Sequence, residues 1–215
     1  MYTTAIFDLD GTVLDSMGVW RDIDYEFLGK RGIPVPEDYL KAISALGFES
    51  AARYTIDRFG FKESPQEIID EWYNMAIDAY TNDVALKPGA GEYIRHLHKN
   101  GIKLAVATAS DEALYKPALV RNGIYECFDA FVTVRDVTRP KGFPDIYEKA
   151  AKLLNSEIGE CIVFEDVLKG VQGAKLGNFR VVAMRDEHSA FDWDNIKREA
   201  DKYIENFDEM MGKLW

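Results

Sequence analysis

Carboxylates and a lysine follow the apolar runs of this chain in a pattern that suits phosphate chemistry. The stretch TTAIFDLDGTVLDS, Thr3 to Ser16, sets Asp8 and Asp10 one residue apart at the end of an apolar run, with Gly11 next. Thr108 lies near the end of the run KLAVATA with Ser110 just after it, Lys141 comes shortly after AFVTV, and Glu165 closes CIVFE with Asp166 next. Singly, each has a structural explanation: a turn at Asp10-Gly11, a helix cap at Thr108, a solvated cation at Lys141, an acidic first helical turn at Glu165-Asp166. Together they place polar chemistry after four successive apolar runs. Several carboxylates meeting at one edge repel by roughly 4 kcal/mol per pair at about 4 Å in an effective dielectric of about 20, so they need a cation. Hard oxygen donors without histidine or cysteine beside them favour Mg²⁺, which keeps waters and takes one or two carboxylates plus a substrate phosphate. Lys141 supplies a second positive charge, and Thr108 and Ser110 supply hydroxyl donors. Metal, lysine and hydroxyls together describe a phosphate site.

The elements that must position these groups are legible in the spacing. Apolar runs at 3–9, 103–109, 130–134, 161–165 and 180–184, with a weaker one at 202–206, are continuous rather than alternating, as for strands covered on both faces of a parallel sheet. Segments of helical spacing lie between them and often end in Asn-Gly or Gly-Asn, a helix stop. The alternation predicts an α/β fold with a doubly wound parallel-sheet core, and such sheets bind ligands beyond the carboxyl ends of their strands.

Between about Ser16 and Asp83 no strand pattern occurs. Val19, Ile23 and Phe27 form one helical stripe, Ala52, Ile56 and Phe59 a second, and Ile69, Trp72, Ala76 and Tyr80 a third. Ser64-Pro65-Gln66-Glu67 reads as a capping box with proline at the first helical position. The expected organisation is an α/β core from residues 1–15 and 84–215 with an inserted α-helical domain, 16–83, as a cap over the carboxyl edge of the sheet. A chain of 215 residues with 47% hydrophobic content suits one core fold with an insertion.

The bulk charge narrows the partners. With 37 acidic and 26 basic residues the net charge is -11, which argues against a nucleic-acid tracker. No apolar stretch approaches the ~20 residues needed to span a bilayer, so no membrane partner is expected. Cys127 and Cys161 lie far apart in apolar surroundings and read as reduced core residues of a cytoplasmic protein. It is expected to be a monomer or weak homodimer acting on a small phosphorylated metabolite.

The motifs carry a resemblance. FDLDGTVLDS resembles the first motif of the haloacid dehalogenase-like (HAD) hydrolases, VATAS the second, Lys141 within PKGFPDIY the third and VFEDVLKG the fourth. The helical insert after the first motif is similar to the C1-type cap of subfamily I, and the likeness to the phosphatase and β-phosphoglucomutase branch covers essentially the whole chain. It implies that Asp8 attacks phosphorus and forms an aspartyl-phosphate, while Asp10 serves as acid and then base. It further implies Mg²⁺ held by Asp8, the Asp10 carbonyl and Asp166, with Glu165 bonded to the ion or to one of its ligands. Thr108 and Lys141 would bind the transferring phosphoryl, and Gly11 would let the backbone turn closely around it. Asp10 implies a phosphate ester rather than a halide as substrate, since the dehalogenases lack an aspartate there. The third motif departs from the commoner GKPxPD form in Pro140 and Gly142, and Val167 replaces a frequent serine, which puts the path of one loop and one hydrogen bond in doubt. Phe48 stands in the cap loop expected to face the cleft. The mutase branch has arginine, histidine and lysine where this chain has Phe48, Trp20 and Asp111, so a phosphatase is expected. The alternatives are a mutase of the β-phosphoglucomutase type and a non-catalytic phospho-acceptor or binding module.

Overall fold

The computed structural model describes residues 2–43 and 46–212. The chain divides into two compact units, one formed by the segment up to Met17 with that from Val84 onward, the other by Gly18–Asp83. The first boundary thus falls after Met17 rather than after Asp15. Asp15 N-H donates to the Ala85 carbonyl at 2.9 Å and Lys87 N-H to that of Val13 at 2.8 Å, Leu14 bridges Leu86, and beyond them the Ser16 hydroxyl donates to Asp10 Oδ1 at 2.6 Å, which ties that residue to the same unit.

The insert is wholly helical among its described residues, with α1 (Val19–Lys30), α2 (Glu37–Ile43), α3 (Phe48–Phe59) and α4 (Pro65–Asn82). Ile23 and Phe27 of α1 are buried as their spacing predicts, joined by Leu28. On α4 the buried stripe starts at Ile68, not Ile69, and continues through Trp72, Ala76 and Tyr80, the exact four-residue repeat of one helix face. On α3, Ala51, Ala52 and Thr55 are the buried set, and Ile56 and Phe59 stay half-buried. The predicted capping box forms, with Ser64 N-H donating to Glu67 Oε2 at 2.7 Å and Glu67 N-H to Ser64 Oγ at 3.3 Å.

The other unit is a six-stranded parallel sheet flanked by helices. Its strands are β1 (Thr4–Phe7), β2 (Lys103–Thr108), β3 (Ala130–Thr133), β4 (Cys161–Glu165), β5 (Arg180–Met184) and β6 (Lys202–Ile204), in the order β3-β2-β1-β4-β5-β6. Its helices are α5 (Ala90–Lys99), α6 (Glu112–Arg121), α7 (Asp145–Leu153), α8 (Leu168–Leu176) and α9 (Trp193–Glu199). The central strands β1 and β4 are buried along their length, and Phe7 stacks on Phe164 with centroids 4.5 Å apart. The stop signals act as expected: Gly101 and Gly123 after α5 and α6 have φ of +74° and +66°. Cys127 and Cys161 are buried and unpaired, and no helix among the described residues is long and apolar enough to cross a membrane.

Candidate active site

Strand pairing brings the first and fourth motifs together. β1 lies beside β4 with Phe7 opposite Phe164, and Asp8 N-H continues the ladder by donating to the Phe164 carbonyl at 3.0 Å. Asp8 therefore leaves the sheet next to Glu165 and Asp166. The chain then reverses at once: the N-H groups of Thr12, Val13 and Leu14 all point to the Leu9 carbonyl, at 3.2, 2.8 and 2.8 Å. Gly11 makes this possible with φ +84°, and a Cβ there would lie 2.3 Å from Asp166 Oδ2. Both its backbone angle and the carboxylate beside it exclude a side chain.

Asp8, Glu165 and Asp166 are all buried and each offers an oxygen within 4.8 Å of the others. The Lys141 ammonium bonds Asp8 and also lies 2.5 Å from Glu165 Oε1, so one cation faces three carboxyl groups. The Thr12 hydroxyl stands between Asp8 Oδ2 at 3.2 Å and Asp166 Oδ1 at 3.0 Å and donates to one at a time. Tyr147 of α7 donates its buried hydroxyl to Glu165 Oε1 at 2.7 Å. Two buried oxygens, Glu165 Oε2 and Asp166 Oδ2, have no hydrogen-bond partner among the described residues.

The electrostatics follow from this imbalance. Burial pushes the Asp8 carboxyl up to about 7 against the opposing pull of Lys141, and Glu165 and Asp10 push the same way as burial. Burial, then the charges of Asp8 and Glu165, hold Asp166 well above the ordinary carboxylate range. For Lys141 desolvation favours the neutral amine, but the charges of Asp8 and Glu165 outweigh it and the group stays a cation. Unpaired buried acceptors are costly, at about 1–3 kcal/mol each. An all-oxygen set with two orphaned lone-pair donors fits a hard divalent ion.

Two glycines of α8 let the helix approach this centre. A Cβ on Gly170 would sit 2.3 Å from Glu165 Oε2, and one on Gly173 would sit 2.2 Å from the Lys141 carbonyl oxygen. The Lys141 loop turns tightly beneath it, with Phe143 N-H donating to the Pro140 carbonyl at 2.9 Å. At the substituted position Val167, α8 begins without a side-chain cap.

The remaining expected residues are placed as follows. Asp10 is half-buried and accepts from Ser16 Oγ at 2.6 Å, and its carboxylate is not one of the converging three. Thr108 is buried at the end of β2, beside β1, and its Oγ1 accepts from Ser110 N-H at 3.0 Å. Phe48 lies in the helical unit, half exposed at the start of α3, with its ring edge-to-face with Trp20 at 5.1 Å. Thr12, Ser16 and Tyr147 had no assigned role in the sequence reading. Thr12 stands inside the DGT motif and its bridging position was open to inference. Tyr147 reaches the centre through tertiary packing that no local pattern announces.

An open parallel sheet with a lysine and three carboxyl groups beyond its central strands is an α/β fold with polar chemistry at the edge where such sheets bind ligands. The chain belongs to the haloacid dehalogenase-like hydrolases, whose sequence profile matches residues 5–184. It is 31% identical over 182 residues to the bifunctional riboflavin kinase/FMN phosphatase of Arabidopsis thaliana, a match covering 84% of this chain and 48% of that protein. The chain therefore spans about half the length of that relative. It is 27% identical over 210 residues to the validoxylamine A 7′-phosphate phosphatase of Streptomyces hygroscopicus subsp. limoneus, covering 98% of this chain and 96% of the other. Among solved structures, CbbY from Rhodobacter sphaeroides in complex with phosphate superposes with a TM-score of 0.75 at 22% identity, over 100% of this chain and 98% of that one. β-Phosphoglucomutase from Clostridium difficile gives 0.70 at 20%, over 99% and 94%. At such identities the likeness speaks to the fold.

Proposed function

We propose that the protein is a Mg²⁺-dependent phosphatase of a small phosphorylated metabolite, with Asp8 as nucleophile. One observation carries this: Asp8 is buried at the end of β1 between Lys141 and Asp166, with Asp10 two residues on and half-buried. In the first step an Asp8 carboxylate oxygen bonds to phosphorus, the ester P-O bond breaks, and the leaving oxygen takes its proton from Asp10. In the second, Asp10 removes a proton from water, the water oxygen bonds to phosphorus, and the P-O bond to Asp8 breaks to return the carboxylate with inorganic phosphate. Lys141, with the Thr108 hydroxyl, binds the phosphoryl oxygens and stabilises their charge. Ser110 and the Gly11 turn complete the cradle. Asp8, Asp166 and the Asp10 carbonyl would hold Mg²⁺, with the unpaired Glu165 Oε2 nearby. When bound, the ion holds the acidic groups ionised and neutralises phosphate charge.

Hydrolysis is favoured over phosphoryl shuttling between two positions of a sugar. Asp111, at a position where the mutase branch has lysine, bonds Arg135 at 2.6 Å, so this cation is already engaged by a carboxylate. The named phosphatase activities of the Arabidopsis and Streptomyces relatives support the same choice. Buried, unpaired Cys127 and Cys161 suit a reducing, cytoplasmic setting. The test is release of inorganic phosphate from p-nitrophenyl phosphate with and without Mg²⁺, in wild type and Asp8→Asn. Turnover that needs both Mg²⁺ and Asp8 is expected, with Asp8→Asn folded but inactive; activity retained in that variant removes Asp8 as nucleophile. With β-glucose 1-phosphate the expected products are glucose and phosphate, and glucose 6-phosphate would identify a mutase instead.

A further inference from the structure

An ion pair outside the acidic centre is also withdrawn from solvent. Lys87 Nζ lies 2.5 Å from Asp186 Oδ2, with the two side chains 11% and 3% exposed. Removing both charges from water is costly, so net stability is a poor reason for such a pair. Asp186 caps the turn that follows β5 and has both oxygens engaged. Its Oδ1 accepts from His188 N-H at 2.8 Å and lies 3.3 Å from His188 Nδ1. The exposed Asp15 carboxylate stands 3.5 Å from the same ammonium.

Lys87 ends the limb of chain that returns from the helical insert, and short links lead from it to Asp10. Lys87 N-H donates to the Val13 carbonyl at 2.8 Å, Asp15 N-H donates to that of Ala85 at 2.9 Å, and Leu14 bridges Leu86. Leu14 also bridges Asp10, and its carbonyl accepts from Gly11 N-H at 2.9 Å. Ser16, next along the outgoing limb, donates its hydroxyl to Asp10 Oδ1 at 2.6 Å. Backbone pairs and one short side chain make up the whole path, so it has little slack. The returning limb is gripped at its other end as well, where the Val84 carbonyl accepts from the Arg121 guanidinium and from Asn122 Nδ2 at 3.2 Å.

Resting on the hydrolase reading above, we propose that the Lys87–Asp186 pair is a latch that fixes the Asp10 turn through the two paired limbs, which makes both residues positioning residues for the step in which the leaving oxygen takes its proton from Asp10. Neither touches a reacting atom. Without the latch, the limbs keep only their backbone pairs and the grip on Val84, and the Ser16 hydroxyl shifts with them.

The test compares kcat/KM for phenyl phosphate, whose leaving oxygen is basic enough to need a proton, with that for p-nitrophenyl phosphate, whose phenolate leaves without one. A misplaced general acid slows the first and spares the second. Lys87→Met and Asp186→Asn should each lower the phenyl-to-nitrophenyl ratio by about tenfold or more, since a misplacement of about 1 Å costs around a hundredfold. The double variant should lose no more than the worse single one, because no buried charge is then left without its partner. Asp186→Asn keeps an acceptor for His188 N-H, and it decides the matter if Lys87→Met does not fold. The control is Asp201→Asn, which weakens the bonds of Asp201 to Lys175 and Arg180, at 2.7 and 3.1 Å, beside the start of β5. It should lower Tm and leave the ratio unchanged. An unchanged ratio in Asp186→Asn, an equal fall in Asp201→Asn, or additive losses in the double variant overturns the latch and leaves the hydrolase reading standing. No Mg²⁺-dependent turnover of either substrate by wild type removes the hydrolase reading, and the inference falls with it.

Discussion

Replacing Gly173 by alanine tests whether helix α8 seats the lysine. On propensity alone the change would stabilise the helix by about 1 kcal/mol. The Cβ, however, would lie 2.2 Å from the Lys141 carbonyl oxygen and 3.0 Å from both the Gly142 carbonyl carbon and the Phe143 oxygen. Ordinary carbon-oxygen contacts are no shorter than about 3.3 Å, so the Pro140–Phe143 turn must retreat by roughly 1 Å. Overpacking of this kind costs about 1–3 kcal/mol, which leaves a net destabilisation between about 0 and 2 kcal/mol. For a chain of this length each kcal/mol moves Tm by about 2–4 °C, so the thermal effect is modest.

The catalytic effect should be larger than the thermal one. The Lys141 ammonium is bonded to both Asp8 and Glu165 in a buried setting, so a shifted backbone moves the cation relative to Asp8. A displacement of about 1 Å in a catalytic group costs on the order of a hundredfold in rate, near 2.7 kcal/mol of barrier. Gly177→Ala is the matched control. Its Cβ would press on Pro144 Cβ at 2.7 Å and on the Phe179 ring at 2.9 Å, at the C-cap of the same helix but against packing rather than Lys141. Phosphate-release kinetics and thermal melts on both variants separate the two roles. Gly173→Ala should lose kcat far beyond its loss of Tm, and Gly177→Ala should lose Tm with kcat within about threefold. If Gly173→Ala keeps wild-type kcat, or if both variants lose kcat in step with Tm, α8 does not position the lysine.

The carboxylate cluster predicts ion-linked stability: Mg²⁺ at about a hundred times its dissociation constant should stabilise the fold by about 2.7 kcal/mol. Asp166→Asn should abolish the resulting rise in Tm, measured by calorimetry with no substrate present. Tyr147→Phe removes only the hydroxyl that donates to Glu165 Oε1 at 2.7 Å, so Tm should fall by the worth of one hydrogen bond, about 1 kcal/mol, with a several-fold loss of kcat. An unchanged kcat would make Tyr147 a packing residue. In the helical unit, burial raises Asp24 to about 7. Between the unfolded pKa of 3.8 and that value the native state binds the extra proton, so the fold loses stability as pH rises through this window and bears the full penalty above it. Asp24→Asn should therefore raise Tm at pH 8, by a few degrees for a penalty of order 1 kcal/mol, and leave it nearly unchanged at pH 4. Equal shifts at both pH values would refute the burial of an ionised Asp24.

Strands and strand-end chemistry were legible because both are local. A fully covered parallel strand must be a continuous apolar run, and CIVFE and RVVAM can be little else once helical segments flank them. Whatever polar residue follows such a run lies at the carboxyl edge, so Asp8, Lys141, Glu165 and Asp166 could be nominated without any contact in hand. The stripe on α4 was misread by one residue because Ile68 and Ile69 are equally apolar and only packing tells which faces inward. The two-residue difference at the start of the insert turns on Ser16, whose hydroxyl bonds Asp10 rather than the helices that follow it.

What escaped entirely were residues whose worth depends on a partner remote in sequence. In isolation, GVQGAKLG is an indifferent helix, with two interior glycines that each cost propensity and a third at its end. Its composition makes sense only once Gly170 faces the Glu165 carboxylate and Gly173 the Lys141 carbonyl. The penalty is accepted because a side chain at either place would part the cation from its two carboxylates. Tyr147 is the converse case: its ring belongs to the apolar core, while its hydroxyl binds the same glutamate that the lysine neutralises. Glu165 Oε1 is thereby saturated and Oε2 left without a donor, so the helices behind the sheet decide which oxygen remains for a cation.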